Sequence, residues 1–274
     1  MIRHTGEDAA AVDLWLAFCD TISLRDAERL YRGVLSLPED ARFESFVHDH
    51  DRHSYLLSHV VLRRALSSYA PVSPKDWVFS AGEFGKPRLS GPVRIPQEFN
   101  LSHTRGAVAC AIVADRPVGI DLQVDPGAGL LSSLSHHVFS DQEVAMLDDL
   151  STAERDHTAT RLWTLKEALA KAIGVGVRLP FHQIDFCLQP DSPPRLRSSP
   201  SDIDGTAWDF ASVELRSRYW MSIAVPVHPR RALRVRLHEC VGDILRVFTT
   251  ELPGSAAHCW RLAAAGAALD ALNS

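Results

Sequence analysis

The chain has 274 residues, enough for one large domain or two of ordinary size, and its 46% apolar and 23% charged residues are those of a soluble globular protein. No run approaches the roughly 18 apolar residues of a membrane span, residues 1–8 lack the apolar stretch of a secretory signal, and five cysteines without a CxxC pair argue against a disulfide framework, so a reducing cytoplasm is expected. A net charge of −5 disfavours a general nucleic-acid binder but leaves room for a local basic pocket.

Residues 11–20 alternate as a strand does. Tyr55, Leu56, Val60, Leu62, Leu66 and Tyr69 mark an amphipathic helix over 51–70 that ends before Pro71. Trp77-Val78-Phe79 reads as a short strand, residues 82–96 as a Gly- and Pro-containing loop, and residues 108–113 as a buried strand. Asp115-Arg116-Pro117 is then a turn into Gly119-Ile120-Asp121-Leu122-Gln123. Capping boxes open at Ser140 and Ser151, and the second predicts a long helix running to about Ile173 and stopping at Gly174. Strands return at 184–188, 208–214 and 219–225, with a Pro- and Ser-rich surface loop over 189–205. A mixed segment follows residue 229, and residues 256–272 read as an Ala-rich helix. Both halves run strand, helix, strands, which suggests two similar α+β lobes meeting near residue 117.

Two segments carry the chemistry. Alternation projects Asp121 and Gln123 from one face of a strand, and helical spacing stacks Trp163, Glu167 and Lys171 four apart. Two acids, an amide oxygen and an ammonium suit a hard metal and a phosphate. An isolated Glu-x-x-x-Lys is more often a surface ion pair. Lys166, on the adjacent face, is either a phosphate contact or a solvated lysine. Ser102 and His103 do not make a hydrolase pair, because neighbours on a strand point to opposite sides and no GxSxG is present. His48-Asp49-His50-Asp51-Arg52-His53 approximates the HxHxDH zinc motif, but Arg52 fills the aspartate position and the segment opens a helix.

Gly85-Lys86-Pro87, Phe99-Asn100-Leu101-Ser102-His103-Thr104, Gly119-Ile120-Asp121-Leu122 and Trp163-x-x-Lys166-Glu167-Ala168-x-x-Lys171 occur in that order. In this the chain resembles the 4′-phosphopantetheinyl transferases of the larger, surfactin-synthetase-associated type. The resemblance is strong over residues 85–174 and softer over about 12–225. It implies an α+β fold of two pseudo-symmetric lobes, each a small antiparallel sheet packed with a long helix, and a monomer. Residues 1–117 would form the N-terminal lobe on the coenzyme A nucleotide side. Residues 118–232 would form the lobe with the metal and catalytic groups, leaving 233–274 as an extension of unknown role. Coenzyme A would lie between the lobes.

The implied reaction moves the phosphopantetheine arm of coenzyme A onto a serine of an acyl or peptidyl carrier protein, releasing 3′,5′-ADP with Mg²⁺, as in holo-acyl-carrier-protein synthases. Neither nucleic acid nor membrane is an expected partner. By resemblance, Asp121 and Glu167 bind the metal, and Glu167 is the base with Lys171 as its catalytic companion. Lys86, Pro87, Ser102, His103, His53, Asp121 and Lys171 hold coenzyme A, with Arg42 and Arg63 as vaguer basic candidates. Gln123 departs from the pattern, which usually has Glu there; its amide oxygen either ligates the metal or has left the shell. The carrier would dock near residues 135–165, where Val138, Phe139, Val144 and Met146 either face it or form core. Arg155 and Arg161 would supply local positive charge.

Overall fold

The computed structural model describes residues 11–82, 87–91, 93–125, 135–189, 192–201, 203–228, 232–241, 246–252 and 260–262. The chain divides into two units, Met1–Val118 with Arg230–Pro253, and Gly119–Pro229 with Gly254–Ser274. No helix among the described residues is long and apolar enough to cross a membrane.

The first unit opens with β1 (Ala11–Phe18), buried along its whole length. Two short helices that the periodicity did not reveal follow, α1 (Leu24–Tyr31) and α2 (Leu37–Glu44). Ser23 caps α1, and Ser36 with Glu39 forms a capping box on α2. The long helix α3 (Asp49–Ser67) buries Leu56, Val60, Val61 and Leu66 against Trp15, Val108, Cys110 and Ile112. Strands β2 (Phe79–Ala81) and β3 (Pro87–Leu89) form a small hairpin where only loop was expected after residue 82. The meander β4 (Gln97–Thr104) and β5 (Ala107–Ala114) pairs antiparallel with β1.

Arg63, a candidate for phosphate binding from its charge, is instead 1% exposed. Its guanidinium donates to both Glu39 oxygens (2.9 and 2.6 Å) and to Trp77 O, so it ties α3 to α2 and the 74–77 segment. A buried arginine is tolerated only when so paired.

The second unit repeats the order. After β6 (Gly119–Val124) come α4 (Ser135–Val138), α5 (Asp141–Asp148) and the long α6 (Thr152–Ile173). Gly174, at φ 85°, ends α6 by donating its N–H to Ala170 O. A hairpin of β7 (Asp185–Cys187) and β8 (Arg195–Ser198) interrupts the expected 189–205 loop. Then β9 (Trp208–Leu215) and β10 (Tyr219–Pro226) form a meander, and β10 pairs antiparallel with β6. In each unit a first strand is thus paired with the last strand of a meander, and a long helix covers the sheet. Val138 and Phe139, offered as carrier contacts, are buried core; Val144 and Met146 are half-buried against it.

The last strands complete both sheets. β11 (Arg234–Val241) runs parallel to β1 and carries β12 (Arg246–Leu252) antiparallel at its far side, giving the order β12-β11-β1-β5-β4. β13 (Trp260–Leu262) pairs parallel with β9, giving β13-β9-β10-β6. Neither sheet is therefore purely antiparallel. Residues 233–274, read as one extension, contribute strands to both units, and in the first unit β11 brings partners to the buried Asp13. Arg236 donates to Asp13 Oδ1 and Oδ2 at 2.7 and 2.9 Å, His238 Nε2 lies 2.9 Å from Oδ1, and Tyr69 donates its hydroxyl to Oδ2. Burial opposes the charge on Asp13, but these hydrogen bonds hold its pKa below the usual carboxylate value. Of the expected 256–272 helix, residues 260–262 are strand, and the rest lies outside the described residues.

Candidate active site

Alternation along β6 turns Gly119, Asp121 and Gln123 to the same face. A Cβ on Gly119 would stand 1.9 Å from Ala168 O and 2.5 Å from Ala172 N, so the missing side chain is what lets β6 lie directly against the α6 backbone. That close approach brings Asp121 to the helix face bearing Glu167 and Lys171.

Asp121 is 2% exposed. Lys171 Nζ donates to Asp121 Oδ1 at 2.6 Å and to Ile120 O at 3.1 Å. Gln123 Nε2 donates to Asp121 Oδ2 at 3.2 Å. Glu167 is half-buried; burial first, and then the negative charge of Asp121, push its pKa above the usual glutamate value, with Lys171 opposing. Two carboxylates and one ammonium therefore stand together here. Beside Asp121 across the ladder, Ser222 hydrogen-bonds Thr164 of α6 at 2.7 Å and Ser212 of β9 at 3.0 Å, a buried hydroxyl row fixing the helix on the sheet.

Lys166, the neighbour of Glu167, is neither solvated nor a phosphate contact. It is fully buried and donates to Val138 O (2.8 Å), Phe181 O (2.8 Å), Ile184 O (2.7 Å) and the Glu143 carboxylate. Glu143 also accepts from Phe186 N at 2.9 Å and closes the α5 capping box. Burial lowers the pKa of Lys166 and raises that of Glu143. No window of sequence could show this, because the cage joins α6 to residues 138–143 and 181–184.

The arginines expected to supply local positive charge have partners within the chain. Arg155 pairs with Asp148, and Arg161 lies 5.1 Å over the Trp220 ring, whose indole donates to His157 Nδ1 at 3.2 Å. Trp220 is the cross-strand neighbour of Gln123.

The remaining nucleotide candidates belong to the first unit. Ser102 is buried on β4 and His103, the next residue, is exposed. Pro87 opens β3 half-buried, while Lys86 lies outside the described residues. His53, in the first turns of α3, is 8% exposed with Nε2 unpartnered; burial holds its pKa below the ordinary histidine value, favouring the neutral ring. Arg42 lies over Phe46 at 4.8 Å. In the zinc-like segment the His48 and His50 rings stack, and His50 approaches Asp51 at 3.3 Å. Among the described residues no group of three or more His, Cys, Asp or Glu is placed to hold a metal. A cation at Asp121 and Glu167 would have these two carboxylates as protein donors, with the Gln123 amide beside Asp121. That donor set fits Mg²⁺, which keeps several waters.

A family model described as the 4′-phosphopantetheinyl transferase superfamily matches residues 117–224, a segment that contains Asp121, Gln123, Glu167 and Lys171. A 4′-phosphopantetheinyl transferase of Nostoc sp. is 32% identical over 172 residues, covering 62% of this chain and 71% of the relative. The 4′-phosphopantetheinyl transferase Sfp of Bacillus subtilis is 30% identical over 169 residues, covering 57% and 73%. A phosphopantetheinyl transferase of Thraustochytrium sp. is 26% identical over 234 residues, covering 80% of each chain.

Proposed function

The chain belongs to the 4′-phosphopantetheinyl transferase superfamily, and we infer that it moves the phosphopantetheine arm of coenzyme A onto a serine of an acyl or peptidyl carrier protein, releasing 3′,5′-ADP. The observation that carries this reading is the Asp121–Glu167–Lys171 cluster, built by a strand and a helix inside the matched segment. The serine oxygen forms a bond to the pantetheine-side phosphorus as the bond to the bridging oxygen breaks. Glu167 takes the serine proton, directly or through a water. Lys171, fixed on Asp121 Oδ1 and Ile120 O, offsets charge growing on the 5′-phosphate of the departing 3′,5′-ADP. Mg²⁺, held by Asp121 and Glu167, would supply the further positive charge that the pyrophosphate requires.

Ser102, His103, His53, Lys86 and Pro87 are assigned to the nucleotide end of coenzyme A. For His53 the support is its unpartnered Nε2, which could donate to a phosphate oxygen once protonated. The enzyme is taken to act as a cytoplasmic monomer.

Gln123 supports a rival, a homologue that binds coenzyme A and carrier without chemistry. Its amide nitrogen, not its oxygen, faces Asp121, and it replaces one negative charge. Transfer of a fluorescent coenzyme A onto an apo carrier protein separates the two readings. Mg²⁺-dependent transfer is expected, falling by roughly 10²–10⁴ in Glu167→Ala, with Gln123→Glu lowering the Mg²⁺ concentration needed for half-maximal rate. Binding of both partners without transfer at saturating Mg²⁺ would establish the rival.

A further inference from the structure

The turn joining β9 to β10 closes with Arg218 N donating to Leu215 O at 3.1 Å, and its two central residues, Arg216 (φ 51°) and Ser217 (φ 48°), both occupy the left-handed region. Residues with a Cβ are disfavoured there, and Asn-Gly is the usual occupant of a turn with two positive φ values. The one other described non-glycine residue with positive φ is Asp115, a type that tolerates it. Arg216, Ser217 and Arg218 are all exposed, so core packing does not account for the choice. What the tip gains over Asn-Gly is the Arg216 guanidinium, set two residues from that of Arg218, on a chain of net charge −5.

The position of the tip is informative. Asp125 N donates to Arg218 O at 2.8 Å, so the turn stands at the end of β6. Asp121 is four residues back, about 13 Å along a strand. A small partner domain, with a radius of gyration of about 13 Å, is wide enough to reach the tip while its serine reaches Asp121 and Glu167.

The geometry points to Arg216 and Arg218 as a docking contact for an acidic face of the carrier protein. The partner's chemistry follows from the guanidinium fork, which pairs with carboxylates bidentately. Two local cations also offset the long-range repulsion that a net negative chain exerts on an acidic partner. The carrier as occupant rests on the transfer reading above.

Steady-state kinetics and titration calorimetry with an apo acyl carrier protein of net negative charge test this. The full chain is compared with Arg216→Glu/Arg218→Glu, with Arg218→Gln, and with Arg216→Asn/Ser217→Gly. Charge reversal is expected to raise KM for the carrier on the order of tenfold and flatten its salt dependence, with kcat and KM for coenzyme A unchanged. Arg218→Gln, which leaves the strained turn alone, should move carrier KM the same way by less. The Asn-Gly variant should raise Tm and still weaken carrier binding. Unchanged carrier KM in an active Arg218→Gln variant overturns the docking contact and leaves the transfer reading standing. Carrier binding that charge reversal weakens, in a chain that transfers nothing, keeps the contact and overturns the transfer reading.

Discussion

Glu167 must be ionised to take a proton, and its surroundings oppose ionisation. Burial and the Asp121 charge raise its pKa, so the folded chain without metal holds that proton more tightly than the unfolded chain does. The stability Glu167 lends is therefore present at low pH and lost as pH rises through its elevated pKa. A bound cation removes the opposition. The difference in Tm between Mg²⁺ and EDTA should accordingly grow from pH 5 to pH 8, and Glu167→Gln should flatten it; a constant difference would remove Glu167 from the cation site. Lys166 shows where residue-level reading from sequence stops. Its neighbour Glu167 was legible as a candidate acid, whereas the Lys166 cage is assembled from Val138, Glu143, Phe181 and Ile184. Lys166→Met should strand the Glu143 carboxylate without its cation and cost about 3–5 kcal/mol, read by urea unfolding. A loss below 1 kcal/mol would mean that the cage is not closed.

Among the elements, α6 and β6 were the most legible, because their signals are local. A capping box, a C-terminal glycine and strict alternation all lie within the segments they shape. Helices α1 and α2, eight residues each, bury only Ala27, Tyr31 and Phe43, too few apolar positions to establish a period. Strands β3 and β8 are three and four residues long inside Pro-containing stretches, where hairpin pairing decides the outcome. Gly119 was visible as a residue, but its reason is tertiary. Its Cβ would strike the α6 backbone rather than the far end of a flexible side chain, so strand and helix must separate in Gly119→Ala. Overpacking of this kind costs about 1–3 kcal/mol. Because Asp121 sits on the strand and Glu167 on the helix, the separation should also lower transfer and weaken Mg²⁺ dependence beyond the loss of folded protein. Activity per folded molecule equal to wild type would show that the close approach serves packing alone.

At the scale of the whole molecule, the least legible feature was how the last forty residues attach. The segment after residue 229 was read only as mixed, although Val235 and Leu237 alternate, as a strand requires, with Arg236 and His238. Both are buried, because Asp13 lies 223 and 225 positions away in the chain and needs them. Pairing across that separation leaves no local trace; Asp13 in an otherwise apolar strand was its only hint. The clamp of Asp13, Tyr69, Arg236 and His238 lies wholly within the first unit. Arg236→Met should leave a buried carboxylate short of its bidentate partner and cost about 3–5 kcal/mol. The pKa of Asp13 is held low in the folded chain, so the stability it contributes is present above its unfolded value and is lost as pH falls through the folded one. The variant should therefore differ most from wild type near neutrality and converge with it in strong acid. Hydrogen exchange locates the damage: β1, β5 and β11 should lose protection while α6, β9 and β10 keep theirs. Equal loss across both units would show that they unfold as one cooperative body, and that the C-terminal strands stabilise the catalytic cluster as well as the sheet they join.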